Sequence, residues 1–292
     1  MQNFDPLVQT DWLAEHLSDP DLRVVDIRGY VKKKALGNGR QEAEYLAARE
    51  EYDEAHIPGA VYVDWTHDIT DPDDPVPVQV APSGRFAALI GSLGIGENTR
   101  VVVYDHAGGK LATRLWWALT YYGHDRVSVL DGGWRKWVAE GRPTTAEVPA
   151  IRPAAFTPRP RPEWRAGTEE VLSTSKKGDA IILDARDKGQ YTGEVARGQG
   201  RGGRVPGARH LHADVLMDPE SGTFRPDEEL AQKLREAGVP ENKNEPVVAY
   251  CNGGVAATVP LFVLHRLGYK NLANYDGSWN EWGIREDLPI ER

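Results

Sequence analysis

Cysteine occurs once in this chain of 292 residues, at Cys251, and its neighbours are those of a reactive sulfur. Pro246-Val247-Val248-Ala249-Tyr250 reads as a short buried strand, Cys251-Asn252-Gly253-Gly254-Val255-Ala256-Ala257 as a tight loop, and Thr258 onward as a helix. A cysteine at the carboxyl end of such a strand sits where open α/β sheets bind ligands, because the loops part there and helix N-termini point inward. Gly253 and Gly254 let successive backbone N–H groups curve round one point, an anion-binding nest centred on the sulfur. Those donors and the helix dipole would stabilise a thiolate or a terminal persulfide anion. A lone cysteine is more often a small core residue. A core residue has no use for a glycine-rich turn, so Cys251 is read as the nucleophile, with Asn252, Gly253, Gly254, Val255, Ala256 and Ala257 cradling its substrate. A single thiol excludes an intramolecular disulfide and a multi-cysteine zinc site, and the eight histidines show no metal-ligand spacing. The chemistry expected needs no metal and no organic cofactor.

The elements that must hold this loop are written twice. Asp26-Ile27-Arg28 recurs as Asp184-Ala185-Arg186, and His56-Ile57-Pro58-Gly59-Ala60 recurs as Arg204-Val205-Pro206-Gly207-Ala208. Val101-Val102-Val103-Tyr104-Asp105 matches Val247-Val248-Ala249-Tyr250-Cys251, with the two tyrosines 146 residues apart. Asp131-Gly132-Gly133-Trp134 matches Asp276-Gly277-Ser278-Trp279, and Trp137 pairs with Trp282. Matched blocks in one order mark a duplicated unit. Short apolar strands alternate with helical stretches at Phe86–Leu93, Thr113–Tyr122, Leu230–Ala237 and Pro260–Leu267, the pattern of a mainly parallel sheet flanked by helices. The fold class expected is α/β, in two tandem domains. Between the copies the prolines from Pro143 to Pro162 favour an extended strap over a helix. The expected boundaries are 1–145, a Pro-rich linker over 146–165, and 166–292 for the catalytic domain. At the position of Cys251 the first copy carries Asp105, which cannot hold a transferable sulfur. That domain is expected to support and not to react, so that losing the Asp105 side chain would leave turnover nearly intact.

Composition narrows the classes further. With 40% hydrophobic and 27% charged residues the chain has a globular balance, neither disordered nor fibrous. Its net charge of −9 argues against nucleic acid or an anionic membrane as the main partner. The first thirty residues carry Asp5, Asp11, Glu15 and Asp19 with no unbroken apolar stretch, which leads to the expectation of a cytoplasmic protein without signal peptide or membrane span. Trp116, Trp117, Trp134, Trp137, Trp279 and Trp282 are expected to pack the cores and the domain interface.

Taken together, the two copies and the loop resemble the rhodanese superfamily, in particular its tandem-domain thiosulfate and 3-mercaptopyruvate sulfurtransferases, over nearly the whole chain. Cys251 to Ala257 is similar to the family's active-site loop, and Tyr275-Asp276-Gly277-Ser278-Trp279-Asn280-Glu281-Trp282 to its C-terminal signature. The resemblance implies an inactive first domain, a catalytic second domain, and a sulfane sulfur carried on Cys251 as a persulfide from a small anionic donor to cyanide or a thiol. It also implies arginines that grip the donor. Arg186 matches the arginine of the family's Asp-x-Arg motif, although Arg28 repeats it in the inactive copy; Arg197 is the second candidate. Where relatives commonly carry a substrate arginine before an aromatic, Gln190 precedes Tyr191, which moves anion binding to Arg197, Arg201 or Arg204. The loop lacks the serine and threonine hydroxyls of the mercaptopyruvate enzymes as well as the cations common in the thiosulfate enzymes. Thiosulfate is the donor expected, with 3-mercaptopyruvate the alternative. A cysteine phosphatase would need an arginine where Ala257 stands. A catalytically inert binding module of this fold remains only if Cys251 is unreactive.

Overall fold

A computed structural model describes residues 5–292; Met1-Gln2-Asn3-Phe4, the start of the stretch expected to lack a signal peptide, lie outside the described residues. The first half contributes β1 (Leu7–Val8), β2 (Leu22–Asp26), β3 (Gly29–Gly37), β4 (Arg40–Ala47), β5 (Val61–Tyr62), β6 (Arg100–Tyr104) and β7 (Val127–Leu130). The second contributes β8 (Arg165–Ala166), β9 (Ile181–Asp184), β10 (Ala196–Arg197), β11 (Arg209–His210), β12 (Val247–Tyr250) and β13 (Leu272–Tyr275). Every residue of β12 and β9 is buried, so each must be covered on both faces, which is the condition of a parallel α/β sheet. The strands run in the order β1-β7-β6-β2-β5 in one sheet and β8-β13-β12-β9-β11 in the other, all pairings parallel. The sequence repeat is therefore a repeat of topology. The helices Ser83–Ser92, Lys110–Tyr121 and Asp227–Glu236 each begin three residues before their expected starts, because their first turns are short on apolar residues or lie in the loop sequence, whereas Thr258–Arg266 begins at Thr258 as the loop reading had it.

The repeated blocks converge on one buried network in each domain. In the second, Asp184 binds the Arg186 guanidinium at 2.6 Å and accepts a 2.6 Å bond from the Tyr250 hydroxyl, which itself accepts the Val205 N–H at 3.1 Å. Trp279 lies 4.3 Å over the guanidinium. In the first, Asp26, Arg28, Tyr104, Ile57 and Trp134 repeat these contacts. Burial opposes the charge of Arg186, yet the Asp184 carboxylate more than compensates, so the guanidinium stays protonated. Burial, with Asp184 adding to it, drives the Tyr250 phenol well above its ordinary range. Breaking either pair would strand a charge in the interior.

Between the domains the helices Lys110–Tyr121 and Thr258–Arg266 pack together, with Trp116 edge-on to Phe262 at 5.0 Å and the Thr113 and Thr258 hydroxyls 2.8 Å apart. One apolar cluster runs through both domains. Trp116 serves the interface, whereas Trp134 and Trp279 cover the buried arginines. The proline-rich strap lies along the first domain through Ala154, Arg159 and Arg161, which donate to Gly91, Tyr122 and Tyr121.

One element was not anticipated. β3 and β4 form an antiparallel hairpin turned at Gly37, Asn38 and Gly39, which have φ of 82°, 51° and 68°. The Asn-Gly pair was its sequence signal. The free edge of β4 takes β10 of the second domain, with Ala196 beside Arg40 and Arg197 beside Gln41. Among the described residues no helix is long and apolar enough to cross a membrane.

Candidate active site

Cys251 follows β12 directly and is 4% exposed. Its N–H and that of Gly254 both donate to the Ser278 hydroxyl, at 3.1 and 3.0 Å, and that hydroxyl donates to the Tyr275 carbonyl at 2.7 Å. Ser278 holds a left-handed φ of 51°, as does its counterpart Gly133 at 50°. Serine at such a φ is strained. What it gains is an acceptor for two loop N–H groups. Sequence reasoning passed over Ser278, although it is the one break in the Asp-Gly-Gly-Trp repeat. The loop is tied down further by Trp279 and Asn280, whose N–H groups donate to the Cys251 and Asn252 carbonyls at 3.1 and 2.8 Å. Val255 and Ala257 are buried, so they contribute backbone to the cradle. Among the described residues, the N–H groups of Asn252, Gly253, Val255, Ala256 and Ala257 meet no protein acceptor.

The corresponding loop of the first domain has its cradle filled. The Asp105 carboxylate accepts four backbone N–H groups: Ala107 at 2.8 Å and Gly109 at 2.9 Å on one oxygen, Leu111 at 2.7 Å and Ala112 at 2.9 Å on the other. The residues 146 positions on are Gly253, Val255, Ala257 and Thr258, and three of these N–H groups are among the open ones. Three of the four N–H positions that hold the carboxylate in the first domain thus recur after Cys251 with no protein acceptor.

The two glycines of the catalytic loop have different reasons. Gly254 needs its φ of 70°, and a Cβ there would lie 2.6 Å from Asp276 Oδ1. Gly253 needs space, since a Cβ there would lie 2.5 Å from Val78 Cγ2 of the first domain. Val78 is itself a β-branched residue at φ 61°, a backbone strain placed against the reactive loop. The first domain therefore walls the cleft, through Val78 and through Arg114, which is buried and ion-paired with Asp276 at 2.6 Å. Two further cross-domain pairs, Lys33 with Asp187 at 2.9 Å and Lys110 with Asp214, join the halves. Burial raises the Asp187 carboxyl, but its bond to Lys33, the Gln190 N–H and the nearby positive charge together outweigh this and leave it below the ordinary range.

The arginines divide sharply. Arg186, expected among the donor ligands, is buried, with its guanidinium engaged by Asp184 and by the Gly203 carbonyl at 2.8 Å. Its role is architectural, as the repeat at Arg28 foreshadowed, and the donor-binding assignment is corrected. Arg201 is committed to the carbonyls of Trp282, Gly283 and Arg285, and Arg204 to Glu291 while lying 4.5 Å over Tyr191. Arg197 differs. It stands part-exposed at the end of β10 with the Tyr45 hydroxyl 2.6 Å from its Nη2, and that hydroxyl lies 3.5 Å from the Asn280 amide that borders Gly253. Gln190 is buried and accepts the Asn252 side-chain N–H at 2.9 Å, so it holds the loop. Tyr45, Val78 and Arg114 carry no local motif and were not expected in the site.

The model of the rhodanese-like domain matches residues 9–140 and again 167–285. The chain belongs to the rhodanese family. The chain is 35% identical over 298 residues to the sulfur carrier protein TtuD of Thermus thermophilus, covering 98% of this chain and 96% of that one. It is 31% identical over 301 residues to a putative thiosulfate sulfurtransferase of Haloferax volcanii, covering 99% and 96%. The crystal structure of the 3-mercaptopyruvate sulfurtransferase SseA from Escherichia coli superposes with a TM-score of 0.81 at 29% identity, covering 94% of this chain and 98% of that one. The protein is accordingly a sulfurtransferase built of two rhodanese domains.

Proposed function

We propose that this rhodanese takes the outer sulfur of thiosulfate onto Cys251 and passes it to cyanide or a thiol. One observation carries the reading: of the four N–H positions that hold the Asp105 carboxylate, three recur in the loop after Cys251, at Gly253, Val255 and Ala257, with no protein acceptor. The terminal sulfur of a persulfide stands one atom beyond Sγ, as a carboxylate oxygen stands one atom beyond Cγ. The cradle is therefore dimensioned for a Cys251 persulfide anion. The Cys251 thiolate attacks the outer sulfur of thiosulfate, the S–S bond of the donor breaks, and sulfite departs with the bonding electron pair. Cyanide then attacks the terminal sulfur, thiocyanate leaves, and the thiolate is restored. Asn252, Gly253, Val255, Ala256 and Ala257 line the sulfur through their N–H groups, Gly254 shapes the turn between them, and Arg197 with Tyr45 receives the sulfonate oxygens at the rim.

Thiosulfate is favoured over 3-mercaptopyruvate by the hydroxyls nearest the loop. Ser278 donates to the Tyr275 carbonyl and Thr258 to the Val255 carbonyl, each at 2.7 Å, so neither has a proton for the enolate that mercaptopyruvate would leave. Sulfite needs none. The cytoplasm is the proposed compartment, because thiol acceptors stay reduced there. Mass spectrometry after thiosulfate treatment is expected to find one added sulfur, on Cys251. Full transfer by Cys251→Ser protein would sink the mechanism, and a clear preference for mercaptopyruvate in side-by-side turnover would overturn the donor alone.

A further inference from the structure

Of all the loop's peptides, the one between Gly254 and Val255 is gripped from the other domain. Its carbonyl accepts Arg114 Nη1 at 3.2 Å and Asn274 Nδ2 at 2.9 Å. Arg114 belongs to the first-domain helix Lys110–Tyr121; its Nη1 also reaches Asp276 Oδ1 at 2.6 Å, its Nη2 reaches the Val78 carbonyl at 2.9 Å, and its guanidinium lies 4.6 Å from the centre of the Trp117 ring. The residue is 2% exposed, so it touches no donor. In a trans peptide the C=O and N–H point in opposite directions. Fixing the Gly254 carbonyl on Arg114 and Asn274 therefore turns the Val255 N–H the other way, into the cradle. The first domain records where that leads: Gly109, 146 residues before Val255, has its N–H 2.9 Å from the Asp105 carboxylate.

We infer that Arg114 is a positioning residue for sulfur transfer, acting from the non-catalytic domain through the Gly254 carbonyl to aim the Val255 N–H at the sulfur on Cys251. The inference rests on the persulfide reading above. It gives the first domain a kinetic role beyond walling the cleft: with Arg114 absent the peptide can rotate, and the cradle loses a donor when negative charge arrives on the terminal sulfur.

The test is single-turnover sulfur uptake from thiosulfate by the full chain, following persulfide by mass. Arg114→Lys keeps a cation beside Asp276 but has no planar fork to span Asp276, Gly254 and Val78 together. Its maximal uptake rate is expected to fall about 10- to 100-fold, with the half-saturating thiosulfate concentration unchanged. Asn274→Leu, which removes the other anchor and leaves the ion pair, is expected to slow uptake in the same way, and it decides the matter if Arg114→Lys does not fold. Asp131→Asn is the control: Asp131 takes the Phe224 N–H across the same interface at 2.8 Å and touches no loop peptide, so it is expected to lower the melting temperature without slowing uptake. Wild-type rates in the variant that tests the anchor, a change confined to half-saturation, or equal slowing by Asp131→Asn would overturn the inference. Failure of the wild-type chain to gain sulfur would instead overturn the persulfide reading.

Discussion

Asp105→Ala removes the acceptor of four N–H groups at the mouth of the helix Lys110–Tyr121. The bonds from Ala107 and Gly109 are part-buried, so water can replace the carboxylate there; those from Leu111 and Ala112 are buried. Each buried N–H left without a partner costs about 1–3 kcal/mol, so the two together set a loss of roughly 4 kcal/mol. Against a typical stability of about 5–15 kcal/mol this is severe, and it corresponds to a melting temperature lower by about 10 °C. Asp105→Asn keeps the volume but turns an NH₂ toward N–H donors, so it is expected to be no better than alanine. Urea unfolding and calorimetry of the three proteins measure the effect. Formate should partly restore Asp105→Ala by occupying the vacated cradle, while turnover of the folded variant stays close to wild type because Asp105 does not touch the Cys251 loop. A loss under about 1 kcal/mol, or an Asp105→Asn protein as stable as wild type, would refute the idea that these cradles are anion sites.

Gly253→Ala is expected to lower kcat about 10- to 100-fold, because the new methyl meets the stiff Val78 side chain and the loop must move; steady-state kinetics against Gly167→Ala, where a Cβ meets nothing, isolates the effect. Arg197→Gln and Tyr45→Phe should each raise the KM for thiosulfate while leaving cyanide discharge of preformed persulfide much less affected, and equal effects on both steps would remove them from donor binding. Stability should fall on mild acidification: burial holds His124, His212 and His265 below the ordinary 6.5, so they are neutral in the fold while the unfolded chain takes up protons below that value. Stabilisation present above pH 6.5 is thus lost as pH falls through their folded values, which urea midpoints across that range will register.

Much of this protein was readable from neighbouring residues alone. The buried run Val247–Tyr250, the glycines after Cys251 and the duplicated blocks are local patterns, and a strand, a loop and a repeat follow from local geometry. The β3–β4 hairpin also has its local sign in Asn38-Gly39. The fate of the arginines had no such sign. Arg186 and Arg197 stand eleven positions apart in one basic segment, and only the folded chain spends the first on Asp184 and leaves the second beside Tyr45. The wall of the cleft was equally hidden: Arg114 and Asp276 are 162 residues apart, and the strained Val78 offers its carbonyl to Arg114, 36 residues away. A guanidinium binds whichever acceptor lies within about 3 Å, and distances of that size between remote residues are set by the packing of the two domains, not by spacing along the chain.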